Sequence, residues 1–331
     1  MSLAKRLPSW SSTVRAPAKI NLHLGVGAPR PDGFHPLLTV YQAVGLYDDL
    51  TAADADEWAL SVAAADYIDP AHVPVDGENI VDRAADLLAS HHGLARLADV
   101  RITKAIPVAG GLAGGSADAA ASLVALDRLW RAGTTDEDLL AIAAVLGSDV
   151  PFALVGGTAL GTGRGEIVTP VVDDGTWWWV IVPSSTGLST PAVYRHFDEL
   201  FPDASPTPPA ADDLLAALAS RDPSLLAAAL HNDLQPAAFD LRPDLERLIA
   251  RGEAAGALRG MVTGSGPTCV FLCSSADHAR EVAAELGRTQ ESSPDPSGVP
   301  SQDSSQGGAG QQPVVLVANG PVAGAHVVEY A

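Results

Sequence analysis

Between residues 107 and 120 the chain reads Pro-Val-Ala-Gly-Gly-Leu-Ala-Gly-Gly-Ser-Ala-Asp-Ala-Ala, and no other stretch limits the fold as tightly. A β-branched run at 100–106 precedes it and an alanine-rich segment ending near Trp130 follows, so the pattern predicts strand, loop, helix. Gly110, Gly111, Gly114 and Gly115 carry no Cβ, so consecutive backbone N–H groups can converge on an anion. The helix predicted from about Ser116 would aim its unpaired amides and positive dipole end at the same point. The Ser116 hydroxyl suits a phosphate oxygen or Mg²⁺. Pro107, Val108, Ala109, Leu112, Ala113, Ala117 and Asp118 complete this candidate phosphate-binding segment. It is not a Walker A loop, because no Gly-Lys-Ser/Thr closes it. Nor is it a dinucleotide fingerprint, because the glycine spacing differs and no acidic residue ends a following strand at the right distance.

The remainder of the chain is consistent with a globular α/β or α+β protein. Its 331 residues leave room for two ordinary domains, and 47% of them are hydrophobic. Acidic residues outnumber basic ones 40 to 20, a field that repels polyphosphate backbones and argues against nucleic acid as a partner. It still permits a nucleotide pocket in which local cations and amides set the sign. Cys269 and Cys273 fall on one face of a predicted strand and read as buried thiols, with no zinc set or disulfide framework. Lys5 and Arg6 are followed by Pro8 and serines, not by a signal-peptide core, and the apolar run at 177–182 is far short of a membrane span. A cytoplasmic protein with no membrane partner is expected.

Strands and turns are predicted over 13–50, with a turn at 29–33, and a helix over 79–89. A second helix should follow Thr134, whose spacing to Glu137 suits a capping box, and stop at Gly147. Further strands are expected at 177–182, 269–273, 314–317 and 326–329, and helices at 212–219, 223–230, 243–250 and 276–286. Residues 289–312 are mostly Ser, Gln, Gly, Pro and Asp and read as a disordered surface insert.

Several single residues are candidates for chemistry. Asp149 lies in the turn Gly147-Ser148-Asp149-Val150-Pro151, where an Asp serves as readily as a cap as it does as a base. Strand alternation puts Lys19 and Asn21 on one face, which is either solvated or part of a site. Aromatic residues make up only 5% of the chain, so Phe34, Tyr41 and Tyr194 near candidate substrate loops are notable, although Tyr41 could equally be core.

Residues 107–120 resemble the central ATP-binding motif of the GHMP kinases. Met261-Val262-Thr263-Gly264-Ser265-Gly266-Pro267-Thr268-Cys269-Val270 resembles the glycine-rich third motif of that family, and Ala16-Pro17-Ala18-Lys19-Ile20-Asn21-Leu22 its N-terminal motif. Arg30-Pro31-Asp32-Gly33-Phe34-His35 and Leu146-Gly147-Ser148-Asp149-Val150-Pro151 are similar to pieces found in the branch whose acceptor carries a cytidyl diphosphate. Two departures stand out: Ser116-Ala117-Asp118 replaces the usual paired serines and Asn, and Phe34 replaces a common Tyr.

The resemblance implies an N-terminal nucleotide-binding domain (1–167) and a C-terminal domain with a ferredoxin-like core (168–331), with substrates in the cleft between. It implies ATP and Mg²⁺, transfer of the γ-phosphate to a small cytidyl-diphospho alcohol, and a monomer or weak homodimer. No dedicated metal-ligand cluster is legible. By the same resemblance Asp149 is the catalytic base and Lys19 its partner near the reacting hydroxyl. Asn21 contacts the alcohol; Phe34, His35, Tyr41 and Tyr194 receive the cytosine; Thr190 and Pro191 shape the wall. Gly264, Ser265 and Gly266 complete the substrate side, while Asn79 and Lys104 serve the adenine end. Two rival readings remain open: a related kinase for homoserine or mevalonate, and a non-catalytic nucleotide sensor on the same fold. Retention of Lys19 and Asp149 argues against the sensor.

Overall fold

The β-branched N-terminal run forms a strand of 16 residues, β1 (Ser11–Val26), which the long β2 (Leu37–Ala53) pairs antiparallel. The computed structural model describes residues 10–69, 73, 79–108, 110–184, 186–288 and 313–328. The expected insert at 289–312, Ala109 and Glu329 lie outside the described residues.

After β2 come β3 (Trp58–Ala64), α1 (Ile80–His92), β4 (Ala98–Lys104), α2 (Gly114–Trp130), α3 (Asp136–Leu146), α4 (Val150–Val155), β5 (Thr158–Thr162) and β6 (Ile167–Pro170). The second half continues with β7 (Trp177–Val182), α5 (Thr190–Leu200), α6 (Asp212–Ser220), α7 (Pro223–Ala229), β8 (His231–Asn232), α8 (Gln235–Leu241) and α9 (Pro243–Ala254). It ends with β9 (Arg259–Val262), β10 (Cys269–Cys273), α10 (Ala276–Gly287), β11 (Leu316–Gly320) and β12 (His326–Val327).

The larger sheet runs β12-β1-β2-β4-β3, with β5 and then β6 added at β2 and β8 added at β1. The smaller sheet, β11-β7-β10-β9, is antiparallel throughout. α1 and α2 bury Leu88, Leu123 and Leu126 in the same core as Ile20 and Leu22 of β1. α9 and α10 cover the smaller sheet through Leu245, Ile249, Val282 and Leu286, around Phe271. Alternation along β7 joins the two cores: Trp177, Trp179 and Ile181 enter the first, Val180 and Val182 the second. Cys269 and Cys273 are buried as expected, and desolvation pushes both thiols up to about 12.

Two expectations need correction. The division after residue 167 falls inside β6, whose hairpin with β5 belongs to the larger sheet. β8 and β12 also return to that sheet from the second half, so the halves interleave. Finally, α3 is capped by Thr135, which accepts from the Asp138 N–H at 3.1 Å, and not by Thr134. Asp127 captures both the Thr134 N–H and its hydroxyl, which moves the cap by one residue. α4, α5 and α8, all with Pro in their first turn, were not anticipated. Among the described residues no helix is long and apolar enough to cross a membrane.

Polar groups also tie the sheets together. Asp173 accepts from Gln42 Nε2 at 2.9 Å and Trp177 Nε1 at 2.8 Å, and Trp179 Nε1 donates to Gln42 Oε1 at 2.9 Å. Gln42 and Trp179 are fully buried, so losing the shared acceptor strands donors away from water. Asp173→Ala should therefore destabilise the chain by about 2–4 kcal/mol, at roughly 1–3 kcal/mol per stranded group. Urea unfolding checks this, and an unchanged midpoint would remove the network from the account of stability.

Candidate active site

The register of β1 against β2 slips between Pro17 and Ala18 and again between Asn21 and His23. Irregularities of this kind re-aim side chains. Lys19 and Asn21 are only 7% and 3% exposed, so the solvated strand face does not exist here. Lys19 Nζ donates to Asn21 Oδ1 at 2.8 Å and lies 3.5 Å from Asp149 Oδ2. Asn21 Nδ2 donates to Thr39 Oγ1 at 2.8 Å, and Thr39 Oγ1 to the His23 carbonyl at 2.7 Å. Asn21 thus orients Lys19 while itself lining the cavity.

Asp149 precedes α4, and an Asp there normally accepts from an N–H two or three residues on. Pro151 has no N–H to give, and Asp149 makes no capping bond. Its carboxylate is left to face Lys19 and the cavity.

The glycine loop meets the third motif by backbone contact. At Gly111, where φ is 80°, a Cβ would lie 2.7 Å from the Thr263 carbonyl oxygen. At Gly110 it would lie 2.6 Å from Thr268 Oγ1. The Lys19 N–H donates to the Leu112 carbonyl at 3.1 Å, and the Thr268 N–H to that of Gly110 at 3.3 Å. Ala113, in the left-handed region, gives α2 no side-chain cap, so its first-turn amides stay available to an anion. Asn232 braces the third motif from β8, its Nδ2 donating to the carbonyls of Val262 at 2.7 Å and Gly264 at 2.8 Å. Thr190 Oγ1 and Ser265 Oγ, 2.8 Å apart, join α5 to it.

A cavity of about 600 Å³ opens over these elements. Its lining includes Lys19, Asn21, Asp149, Gly111 and Ser116, with Gly264 and Ser265, and also Phe34, His35, Thr190, Pro191 and Tyr194. Phe34 is 51% exposed, with Arg164 over its ring at 5.1 Å from the centroid. His35 is buried, 5.0 Å from the Tyr194 ring, and its Nδ1 lies 2.8 Å from the Gly27 carbonyl oxygen. Burial, and then the charge of Asp149, raises the Tyr194 pKa, so its hydroxyl stays a donor.

Tyr41 is not an open platform. It is 3% exposed and packs 4.9 Å from Phe152. Burial and the facing Asp149 carboxylate raise its pKa well above the usual value. Tyr41 thus lines the cavity beside the carboxylate, with its ring packed on Phe152.

Asn79, Lys104, Asp118 and Gly266 do not line the cavity. The Asn79 side chain caps α1, accepting from the Val81 N–H at 2.9 Å. Lys104 is 2% exposed and sits between Asp48 Oδ2 at 2.5 Å and Asp118 Oδ2 at 2.6 Å, which corrects its assignment to the adenine. Asp118 is turned into the interior by the same pairing, not toward ATP. Of the described loop residues, only Gly111 and Ser116 reach the cavity wall; Leu112 and Ala117 are core. Pro107, Val108, Gly110, Ala113, Gly114 and Gly115 stand behind that wall. Arg164, Arg195 and Asp198 line the cavity without having been singled out; each lies in an ordinary polar turn or helix, with no local pattern to mark it.

Residues 79–157 match the GHMP kinases N terminal domain, and residues 214–291 the GHMP kinases C terminal domain. A 4-diphosphocytidyl-2-C-methyl-D-erythritol kinase from Nocardioides sp. (strain ATCC BAA-499 / JS614) is 68% identical over 318 residues, covering 96% of this chain and 100% of the relative. The chain belongs to the GHMP kinases. A relative of the same name from Salinispora arenicola (strain CNS-205) is 54% identical over 82% of this chain and 87% of its own. A crystal structure of 4-(cytidine 5'-diphospho)-2C-methyl-D-erythritol kinase superposes with TM-score 0.69 at 32% identity, covering 82% of this GHMP kinase and 94% of that chain.

The buried triad of this GHMP kinase has a pH signature. Burial first, and then the Asp48 charge, raises the Asp118 pKa well above the carboxylate range, against the pull of Lys104. Burial works against the Lys104 charge, but Asp118 and Asp48 outweigh it and raise the Lys104 pKa. Asp118 therefore keeps its proton in the folded chain at a pH where the unfolded chain has lost it. The stability tied to that proton is fully present below the unfolded value, about 3.9, and declines as pH rises toward the folded one. Asp118→Asn has no such proton to lose. Its thermal midpoint relative to wild type should climb steadily as pH is raised above about 4; midpoints that run parallel would show that Asp118 is not held protonated.

Proposed function

We propose that this chain transfers the γ-phosphate of ATP to the 2-hydroxyl of 4-diphosphocytidyl-2-C-methyl-D-erythritol, in the non-mevalonate route to isoprenoid precursors, in the cytoplasm. The observation that carries the reading is one cavity lined both by the Lys19–Asp149 pair and by Phe34, His35 and Tyr194. The relatives' names point to the same reaction.

Asp149 is placed to accept the hydroxyl proton as the acceptor oxygen attacks the γ-phosphorus. Lys19, 3.5 Å from that carboxylate, keeps it oriented and offsets charge gathering on the transferring group. Amides of the glycine loop and the first turn of α2 cradle the phosphates. Among the described residues no group of three His, Cys, Asp or Glu side chains could hold a metal ion by itself. Mg²⁺ would arrive on the ATP phosphates and need few protein oxygens, and the Ser116 hydroxyl at the cavity wall could supply one. Bound there, Mg²⁺ would neutralise phosphate charge. Phe34 and Tyr194 offer rings to a cytosine, and Arg164 adds donors beside Phe34.

An ADP-release assay over a panel of alcohols tests the assignment. The cytidyl-diphospho alcohol should be turned over, with CDP and CMP competing against it; turnover of homoserine, with no effect of cytidine nucleotides, would overturn the substrate but not the family. Asp149→Asn should lower kcat by roughly 10²- to 10⁴-fold with little change in KM for ATP. Near-normal kcat would exclude Asp149 as the base. Tyr194→Ala should raise KM for the cytidyl alcohol by roughly 5- to 150-fold, as expected for about 1–3 kcal/mol of base stacking. Its KM for ATP should not move; equal changes in both constants would count against a separate cytosine site.

A further inference from the structure

Asp48 lies on β2, outside the cavity and 1% exposed, yet it contacts both ends of the segment that carries the glycine loop. Its Oδ1 accepts from the N–H of Ala105 at 2.7 Å and of Ile106 at 2.8 Å, where β4 ends and the loop begins. Its Oδ2 accepts from Lys104 Nζ at 2.5 Å. The same ammonium donates to Asp118 Oδ2 at 2.6 Å, on the first turns of α2, where the loop ends. The two ends are further joined through Gly114. A Cβ there would lie 3.0 Å from Ile106 Cγ2 and 3.5 Å from Lys104 Nζ, so both residues pack directly beneath the helix start.

A loop of small residues has little side-chain packing to fix its path, so its amides converge only if its two ends are fixed relative to each other. We propose that Asp48 is a positioning residue for phosphoryl transfer: it locks the β4 end of the glycine loop and, through Lys104, the start of α2, and so sets the spacing of the amides that receive the ATP phosphates. The inference rests on the reading that this loop holds those phosphates. Other acceptors near the loop do less. Thr263 and Thr268 touch its middle through backbone and leave its ends free. Asp48 supplies one carboxylate to two backbone amides and a buried cation, and charge-assisted bonds of this kind hold geometry most firmly.

The test is steady-state kinetics on Asp48→Asn, which keeps the shape and removes the charge, assayed well below its thermal midpoint. KM for ATP should rise by about 5- to 50-fold, the consequence of weakening one set of charge-assisted contacts. KM for the alcohol should be unchanged, because Phe34, His35 and Tyr194 hang from other elements. A purely structural role would lower the active fraction, and hence apparent kcat, and leave both KM values alone; that result overturns the proposal. Should Asp48→Asn fail to fold because Lys104 is left partly unpaired, Asp48→Asn/Lys104→Gln removes that charge. It breaks the same bridge and should show the same selective rise, and an unchanged KM for ATP in it is equally fatal. Wild type that does not saturate with ATP would sink both the proposal and the reading it rests on. Saturating wild type with a variant indistinguishable in KM sinks only the proposal.

Discussion

The contact between the backbones of residues 110–112 and 263–268 sets the distances on which the site depends. Gly110 and Gly111 approach Thr268 and Thr263 so closely that a methyl group could not be inserted at either position. That approach brings a loop from the first half against a turn from the second, with Lys19 of β1 bonded to the same loop. Phosphate-binding amides, the Lys19 ammonium and the wall at Ser265 are thereby held in one frame. A larger side chain in either glycine would separate all three at once.

Charge burial follows from this closeness. Lys19 and Lys104 are both almost fully inaccessible in a chain of net charge −20. A buried ammonium is tolerated only with acceptors around it, and the two lysines are supplied differently. Lys104 has oxygens of two aspartates within 2.6 Å and no access to the cavity, which suits a structural clamp. Lys19 has an amide oxygen at 2.8 Å, a carboxylate at the longer distance of 3.5 Å, and an open side toward the cavity. That incomplete satisfaction leaves its remaining donor free to meet an acceptor in the cavity.

Much of this was legible beforehand, and for physical reasons. β7 and β10 were read to the residue because dense β-branched and aromatic runs leave no competing periodicity. The glycine motif was found because few sequences outside an anion-binding turn contain it. What escaped was decided by tertiary contact. Lys104, Asp48 and Asp118 are widely separated in the chain, and nothing local says that they meet. The role of Asn21 depends on Thr39, a partner on another strand. Tyr41 shows how sharply neighbours decide: a ring near a substrate loop is a platform or a wall according to what covers it, and here Phe152 covers it. α5 was missed because its exposed face is polar and a proline stands in its first turn, though it carries Thr190 and Tyr194.

The interleaving of the halves has a consequence for how the protein is made. β1 is made well before β8 and β12, yet these are the strands that flank it opposite β2. At ordinary translation speeds the last of these follows β1 by on the order of tens of seconds. Throughout that interval a nascent chain presents a long strand with an unpaired edge, the kind of surface that invites pairing with another chain. The larger sheet gains its last strand only once β12 has been made, so the vulnerable period of this kinase falls during its own synthesis.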